Sequence, residues 1–336
     1  MEYRMLGRTG LNVSQVGFGC GDVGGLIVRG EPKERARAVA RAHELGINYF
    51  DTAPSYGNGV SETNLGLALK ELNANVYVGT KVGLAAENRK NIRAGIFAST
   101  DRSLKRLGRD SVDLIQLHNR LRANRGPSQP DSAAPDLDSE EVLGQVVDAF
   151  QDLRTQGKVR YFGITGLGDT EALHRVIDAG AMDTVQVCYN LLNPSPGTRV
   201  PEGYFAQDYG MLIDRAAAQG AGIIAIRIMA AGALTGVTDR HPTAIPSVAP
   251  IGTGRDYEED VRRAASFRFM VEDGTVETLV EAALRFVLSK KEVSTALVGL
   301  SSLEQLEQSV RWAEKGPLPE PALERLPQVW TQFSEE

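Results

Sequence analysis

The sequence predicts a single (β/α)8 barrel carrying an extra C-terminal helix, and three observations predict it. Short β-branched runs alternate with longer amphipathic runs along the whole chain. Eight such pairs follow one another, which reads as eight parallel βα units. The length of 336 residues suits one barrel, a fold that runs from about 200 to over 400 residues. The competing layout is an open doubly wound sheet, which usually shows a GxGxxG turn opening a helix behind its first strand. Here Gly17-Phe18-Gly19-Cys20-Gly21 follows the first strand, and no helix opens behind it in that register.

The strands are expected over 14–19, 47–50, 76–80, 112–117, 159–164, 184–188, 222–227 and 296–299. The helices between and after them are expected near 32–46, 61–72, 91–107, 139–156, 169–179, 208–219, 276–289 and 302–314. Within them apolar residues recur at three- and four-residue steps, as in Val142, Val146, Ala149, Phe150 and Leu153. Ser61 with Glu62, Ser99 with Thr100, and Ser301 with Ser302 and Glu304 supply capping chemistry at helix starts. Gly46, Gly108, Gly157, Gly180 and Gly220 end helical runs, where a left-handed cap is required. The last stretch, 319–336, reads as a further helix with Leu323, Leu326, Val329, Trp330 and Phe333 on one face. Two segments break the rhythm, 120–138 and 237–256, after the fourth and seventh strands. Both are therefore expected at the C-terminal mouth of the barrel, and long loops in a compact domain are usually functional or disordered. No interdomain linker is evident, so residues 1–336 read as one domain.

Composition narrows the function classes. The chain is 42% apolar and 24% charged, with a net charge of −6. That balance argues against broad nucleic-acid binding, which needs a basic face. The longest apolar runs are too short to span a bilayer, and no secretory leader opens the sequence, so no membrane role is expected. Two distant cysteines, Cys20 and Cys188, do not make a disulfide framework, and a reduced cytoplasmic protein is the expectation. The histidines His43, His118, His174 and His241 are scattered, and no metal site is expected.

In a barrel, residues just past each strand converge on one face. The second strand and its loop deliver Asp51 and Tyr56, the third Lys81, the fourth His118. Such a set has a mechanism. A phenol has a pKa of about 10 and is a poor acid at neutral pH. A nearby ammonium is expected to lower that value, and Lys81 can supply it. Asp51 can hold Lys81 charged and oriented. Tyr56 then gives a proton to a carbonyl oxygen or takes one from an alcohol. His118 can bond the same oxygen. Each residue alone has a plainer role, as a cap, a solvated lysine or a core histidine. Their meeting at three neighbouring strand ends favours chemistry.

At this point the chain resembles the aldo-keto reductase superfamily. Leu6-Gly7-Arg8-Thr9-Gly10-Leu11-Asn12-Val13-Ser14 resembles its N-terminal β-hairpin and first strand. Phe50-Asp51-Thr52-Ala53-Pro54-Ser55-Tyr56-Gly57, with Ser61-Glu62 and Leu65-Gly66, resembles its signature. Gly79-Thr80-Lys81 and Asp113-Leu114-Ile115-Gln116-Leu117-His118 complete the resemblance to its catalytic tetrad. The resemblance implies a TIM barrel, a nicotinamide cofactor, and aldehyde or ketone substrates.

It also implies cofactor contacts. Cys20, Gly21 and Asp51 lie where the family approaches the nicotinamide half, and Thr165 and Gln186 match its carboxamide contacts. Gly166 replaces a polar family residue. Ile226, Arg227 and Ile228 stand where an aromatic and its followers usually lie, so the stacking surface becomes aliphatic. Arg227 is expected either in a salt bridge at the mouth or on a phosphate or diphosphate, through its guanidinium fork. Gly299, Ser301, Gln305, Gln308 and Ser309 match the family's adenosine 2′-phosphate corner, at a helix start, but no cation is among them. The expectation leans to NADP(H), with NAD(H) as the alternative. Loop 237–256, with Arg240 and Arg255, is expected to fold over the diphosphate as a lid. Segments 24–28 and 190–204 and the terminal helix are candidate walls for a substrate pocket. The expected partner is a small carbonyl or alcohol substrate. Two further readings stay open: a sugar dehydrogenase running oxidatively, suggested by Thr165-Gly166-Leu167, and a redox-sensing nicotinamide-binding subunit. The sequence names neither the substrate nor an oligomeric state.

Overall fold

The computed structural model describes residues 1–123 and 136–333. Eight parallel strands close into a barrel: β1 (Val16–Gly19), β2 (Tyr49–Asp51), β3 (Tyr77–Val82), β4 (Val112–Leu117), β5 (Val159–Thr165), β6 (Thr184–Cys188), β7 (Gly222–Ile226) and β8 (Val293–Gly299). Each pairs with its sequence neighbours, and β8 closes on β1 with Ala296 opposite Val16 and Gly299 opposite Gly19. Around it lie α1 (Pro32–Glu44), α2 (Val60–Leu72), α3 (Ile92–Leu107), α4 (Val147–Thr155), α5 (Thr170–Asp178), α6 (Leu212–Ala218), α7 (Leu279–Ser289) and α8 (Leu303–Glu314). The terminal helix is α9 (Glu320–Gln332). The (β/α)8 expectation therefore holds, with each helix pressing an apolar face on the strands. All five glycines expected to end helices have φ between 63° and 85°. At Gly108 the cap N–H reaches back to Leu104 and Lys105.

Three boundaries differ from expectation. The first strand divides at Gln15. Asn12–Ser14 pairs antiparallel with Tyr3–Met5 as a hairpin, and only Val16–Gly19 joins the barrel. The eighth strand starts at Val293, because Ser294 and Thr295 are buried polar residues that interrupt the apolar pattern without ending the strand. The fourth helix, after a first turn at Ser139–Glu141, passes through a five-residue π turn, Val142–Val146, which keeps both terminal valines against the core. The sequence did not mark the short helices Leu26–Arg29 and Tyr257–Ala264. In the expected loop 120–138, residues 124–135 lie outside the described part, and Leu121–Arg122 pairs with Leu137–Asp138.

The hairpin seals the N-terminal end of the barrel. Leu6, Leu11 and Val13 join Tyr49, Leu114, Ile224 and Leu297 in one apolar cluster inside the strands. Arg8 ties the plug down by donating to Gly180 at 2.8 Å and to Gln219 at 3.2 Å. Burying apolar side chains of this size contributes about 1.5–3 kcal/mol each. The opposite, C-terminal face is thereby left as the open one. The terminal helix docks beside it, with Trp330 donating to the Leu191 carbonyl at 2.9 Å. Among the described residues no helix is long and apolar enough to cross a membrane.

Candidate active site

Side chains alternate along a strand, so Tyr49 and Asp51 of β2 both face the barrel interior. Gly79 and Lys81 of β3 share that face. Gly79 has no room for a side chain, because a Cβ there would stand 2.5 Å from the Tyr49 hydroxyl. Just beyond β4, His118 donates its backbone N–H to Val82 at 2.8 Å. Tyr56 is placed by a turn, with its N–H on the Ala53 carbonyl at 3.1 Å. Asp22 steadies this turn by accepting the Gly57 N–H at 2.9 Å.

These side chains meet. The buried Lys81 ammonium donates to Asp51 Oδ1, to the Thr52 carbonyl at 2.9 Å and to the Tyr56 phenol oxygen at 3.1 Å. Its three donors are then all used. Asp51 Oδ2 accepts from Gln186 Nε2 at 2.7 Å and from the Tyr49 hydroxyl at 3.3 Å. A carboxylate can only accept, so the Gln186 amide nitrogen must face it. The Gln186 oxygen in turn takes the Thr165 hydroxyl at 3.3 Å. The Tyr56 and His118 rings meet edge to face, 6.0 Å between centroids.

Burial would discharge Lys81, but Asp51 and Tyr56 outweigh it and hold its pKa well above the ordinary value. His118 goes the other way. Burial, reinforced by the Lys81 charge, lowers it to about 3, so its imidazole is neutral. Tyr56 corrects the sequence expectation. Lys81 does pull the phenol down, but burial pushes harder and Asp51 adds to it, so the pKa stands above the ordinary value. Tyr56 is thus a neutral acid at physiological pH. Because its oxygen accepts from Lys81, its own O–H is left for another partner.

Tyr56 and His118 line a cavity of about 750 Å³ at the C-terminal mouth, which runs on to Ser301 and Gln308 at the start of α8. That volume is within the usual range for ligand sites, about 300–1,000 Å³. Gly21, Asp51, Thr165, Gln186, Ile226, Arg227, Ile228, Gly299, Ser301, Gln305, Gln308 and Ser309 all line it. Cys20 does not. Its thiol is buried against the Phe18 carbonyl, behind the wall. Segment 237–256 does cross the cavity as a strap. Arg240 grips the carbonyls of Ile245 at 2.6 Å and Ala231 at 2.9 Å, and Ile245 bonds Val23 at 3.2 Å. Arg255 lies outside the cavity. So do 190–204, the terminal helix and, Gly24 excepted, 24–28. No carboxylate among the described residues forms an ion pair with Arg227, which removes the expected salt bridge. Among the described residues no cluster could hold a metal ion.

The Aldo/keto reductase family model matches residues 15–331. The chain belongs to the aldo/keto reductase family. Within this family it is 30% identical over 317 residues to L-galactose dehydrogenase of Arabidopsis thaliana, covering 92% of this chain and 87% of that one. It is 26% identical to D-threo-aldose 1-dehydrogenase of a Pseudomonas species, covering 97% and 94%. An aldo-keto reductase of Bacillus halodurans in its holo form superimposes with a TM-score of 0.70, at 25% identity over 99% of this chain and 96% of that one. The protein is therefore an oxidoreductase of the aldo-keto reductase type, with the barrel of its relatives. Tyr49 is a residue that sequence reasoning missed. Its signal was available: a phenol two positions before Asp51 in a strand shares its face.

Proposed function

We propose that this aldo-keto reductase transfers a hydride between a nicotinamide dinucleotide and the carbonyl or alcohol carbon of a small aldehyde, ketone or sugar. Tyr56 is the general acid and base. The observation that carries this reading is the 3.1 Å bond from Lys81 to the Tyr56 oxygen at the inner end of the cavity. It fixes a neutral phenol with its proton free for a carbonyl oxygen. His118, neutral, orients that oxygen through a hydrogen bond. The dinucleotide, when bound, gives or accepts the hydride.

The residues present fit such a group. A Cβ at Gly299 would meet nothing closer than 3.9 Å, and one at Gly21 would lie 3.6 Å from the Tyr56 ring, so both leave space along the wall. Thr165 and Gln186 are the candidate carboxamide contacts, and Ile226 offers an aliphatic face. At the far end Ser301 donates to the Gly24 carbonyl at 2.7 Å, and Gln305 caps the Ser301 N–H at 2.8 Å. Ser309 bonds the Gln305 carbonyl at 2.7 Å and Gln308 bonds Glu304 at 3.3 Å. These groups are occupied and none is cationic, so the lean toward NADP(H) loses ground and NAD(H) fits at least as well. Two buried free cysteines fit a reducing cytoplasm.

Fluorescence titration with NADH and NADPH tests the cofactor; binding of neither rejects the proposal. The Tyr56→Phe variant should bind cofactor like the parent and reduce 4-nitrobenzaldehyde about 10²–10⁴-fold more slowly. Undiminished turnover would displace Tyr56 from the mechanism. The second reading is sugar oxidation, favoured by the two sugar dehydrogenases among the relatives. There Tyr56 must first lose its proton, so oxidation should quicken as pH rises. A panel of sugars and aldehydes assayed in both directions separates the two.

A further inference from the structure

Arginines line the active-site cavity at two positions, and they are held differently. Arg240 is spread over three backbone carbonyls, of Ile245, Ala231 and Val23. Arg227 makes one long bond, to the Ala249 carbonyl at 3.4 Å. Three acids line the cavity: Asp51 is committed to Lys81, Asp22 to Arg29 and the Gly57 N–H, and Asp239 forms no ion pair with Arg227. Among the described residues Arg227 is thus a half-buried guanidinium without a counter-ion. A charge in that position is costly unless it is paired.

The backbone keeps it there nonetheless. Arg227 sits at φ 54°, and Ala230 and Ala231 also have positive φ, so three of the six non-glycine residues of that kind among the described residues follow β7 directly. Left-handed backbone at arginine or alanine is strained and persists only when its surroundings enforce it. Asn190 enforces it here. This fully buried side chain donates to the Arg227 carbonyl at 2.9 Å and accepts the N–H groups of Leu192 and Asn193 at 2.9 Å. The guanidinium belongs to the catalytic end: it lines the same cavity as Tyr56 and His118.

We propose that Arg227 is a specificity-determining residue that receives a carboxylate or phosphate carried by the substrate. The preferred substrates are then anionic aldehydes, ketones or hydroxy acids. The guanidinium fork pairs with such oxyanions through two parallel hydrogen bonds. The inference rests on the hydride-transfer reading above and adds the charge of the substrate to it. A dinucleotide diphosphate offers similar chemistry, and the experiment must separate the two.

Succinic semialdehyde and butanal have the same chain length and differ in one carboxylate. Their kcat/KM values should be measured with the full-length wild type, Arg227→Asn and Arg227→Lys. Asparagine tolerates left-handed backbone better than most residues, and lysine keeps the charge without the fork. The wild type should prefer the anionic aldehyde by about tenfold or more, the scale of one charged hydrogen bond. In Arg227→Asn the ratio should fall toward one through KM, and Arg227→Lys should keep part of it. No preference in the wild type, or one that survives in Arg227→Asn, overturns the assignment. So does an unchanged ratio with dinucleotide Kd weakened tenfold, which would place a diphosphate on Arg227. If neither aldehyde reacts and neither dinucleotide binds, the hydride-transfer reading falls as well.

Discussion

The two ends of the cavity are built on opposite principles. At the inner end the polar groups gather around one charge pair: Tyr49, Gln186 and Lys81 converge on Asp51, and Lys81 also donates to Tyr56. At the α8 end the polar groups are neutral side chains that bond locally to carbonyls and to one another. The difference is one of stakes. A buried charge fails without all its partners, whereas neutral amides and hydroxyls can exchange partners at small cost. The inner end should therefore resist substitution, and the outer end should accept it.

Removing the ammonium would break the inner end most severely. Lys81→Met leaves the Asp51 carboxylate buried and unpaired, and stability should fall by about 3–5 kcal/mol together with turnover. Urea unfolding measures this; a change below about 1 kcal/mol would mean the carboxylate is neutralised in some other way. Acid should act through His118. Its folded pKa of about 3 lies below the ordinary value, so the folded state binds fewer protons than the unfolded one in between. Stability from this group is complete above about pH 6.5 and is lost as pH falls, by about 1.4 kcal/mol per unit. His118→Gln should flatten the dependence of stability on pH between about 3 and 6.5.

The outer end offers a gain instead of a loss. Gln308→Arg should tighten NADPH relative to NADH by about tenfold, the scale of one charged hydrogen bond. Equal changes for both dinucleotides would place the 2′-phosphate elsewhere. The smallest effect expected is that of Tyr49→Phe. It removes one hydrogen bond to Asp51 and should cost about 1 kcal/mol in stability, with kcat reduced only severalfold. A loss as large as that of Tyr56→Phe would make Tyr49 part of the proton path.

The same contrast governs what the sequence could reveal. Asp51, Tyr56, Lys81 and His118 were legible because strand ends converge by topology, whatever the details of packing. The barrel was legible for a similar reason, since eight apolar runs alternate with eight amphipathic ones. What escaped depends on side-chain direction and on burial. Ser294 and Thr295 hid the start of β8 because their hydroxyls lie inside a strand. Cys20 stands next to cavity residues in sequence, yet its thiol turns into the core. The Tyr56 pKa was misread because charge can be inferred from neighbours in sequence while desolvation cannot. Arg227 was visible as unusual, but that no described carboxylate pairs with it is a fact of three dimensions.

The hairpin beneath the barrel has one more consequence. With Leu6, Leu11 and Val13 packed into the lower end, the described residues leave the cavity no exit through the barrel floor. Traffic must use a single doorway, partly spanned by the strap. In such a room the guest seated deepest arrives first and leaves last. Order of binding is then a property of the architecture, set at the end of the molecule farthest from the chemistry.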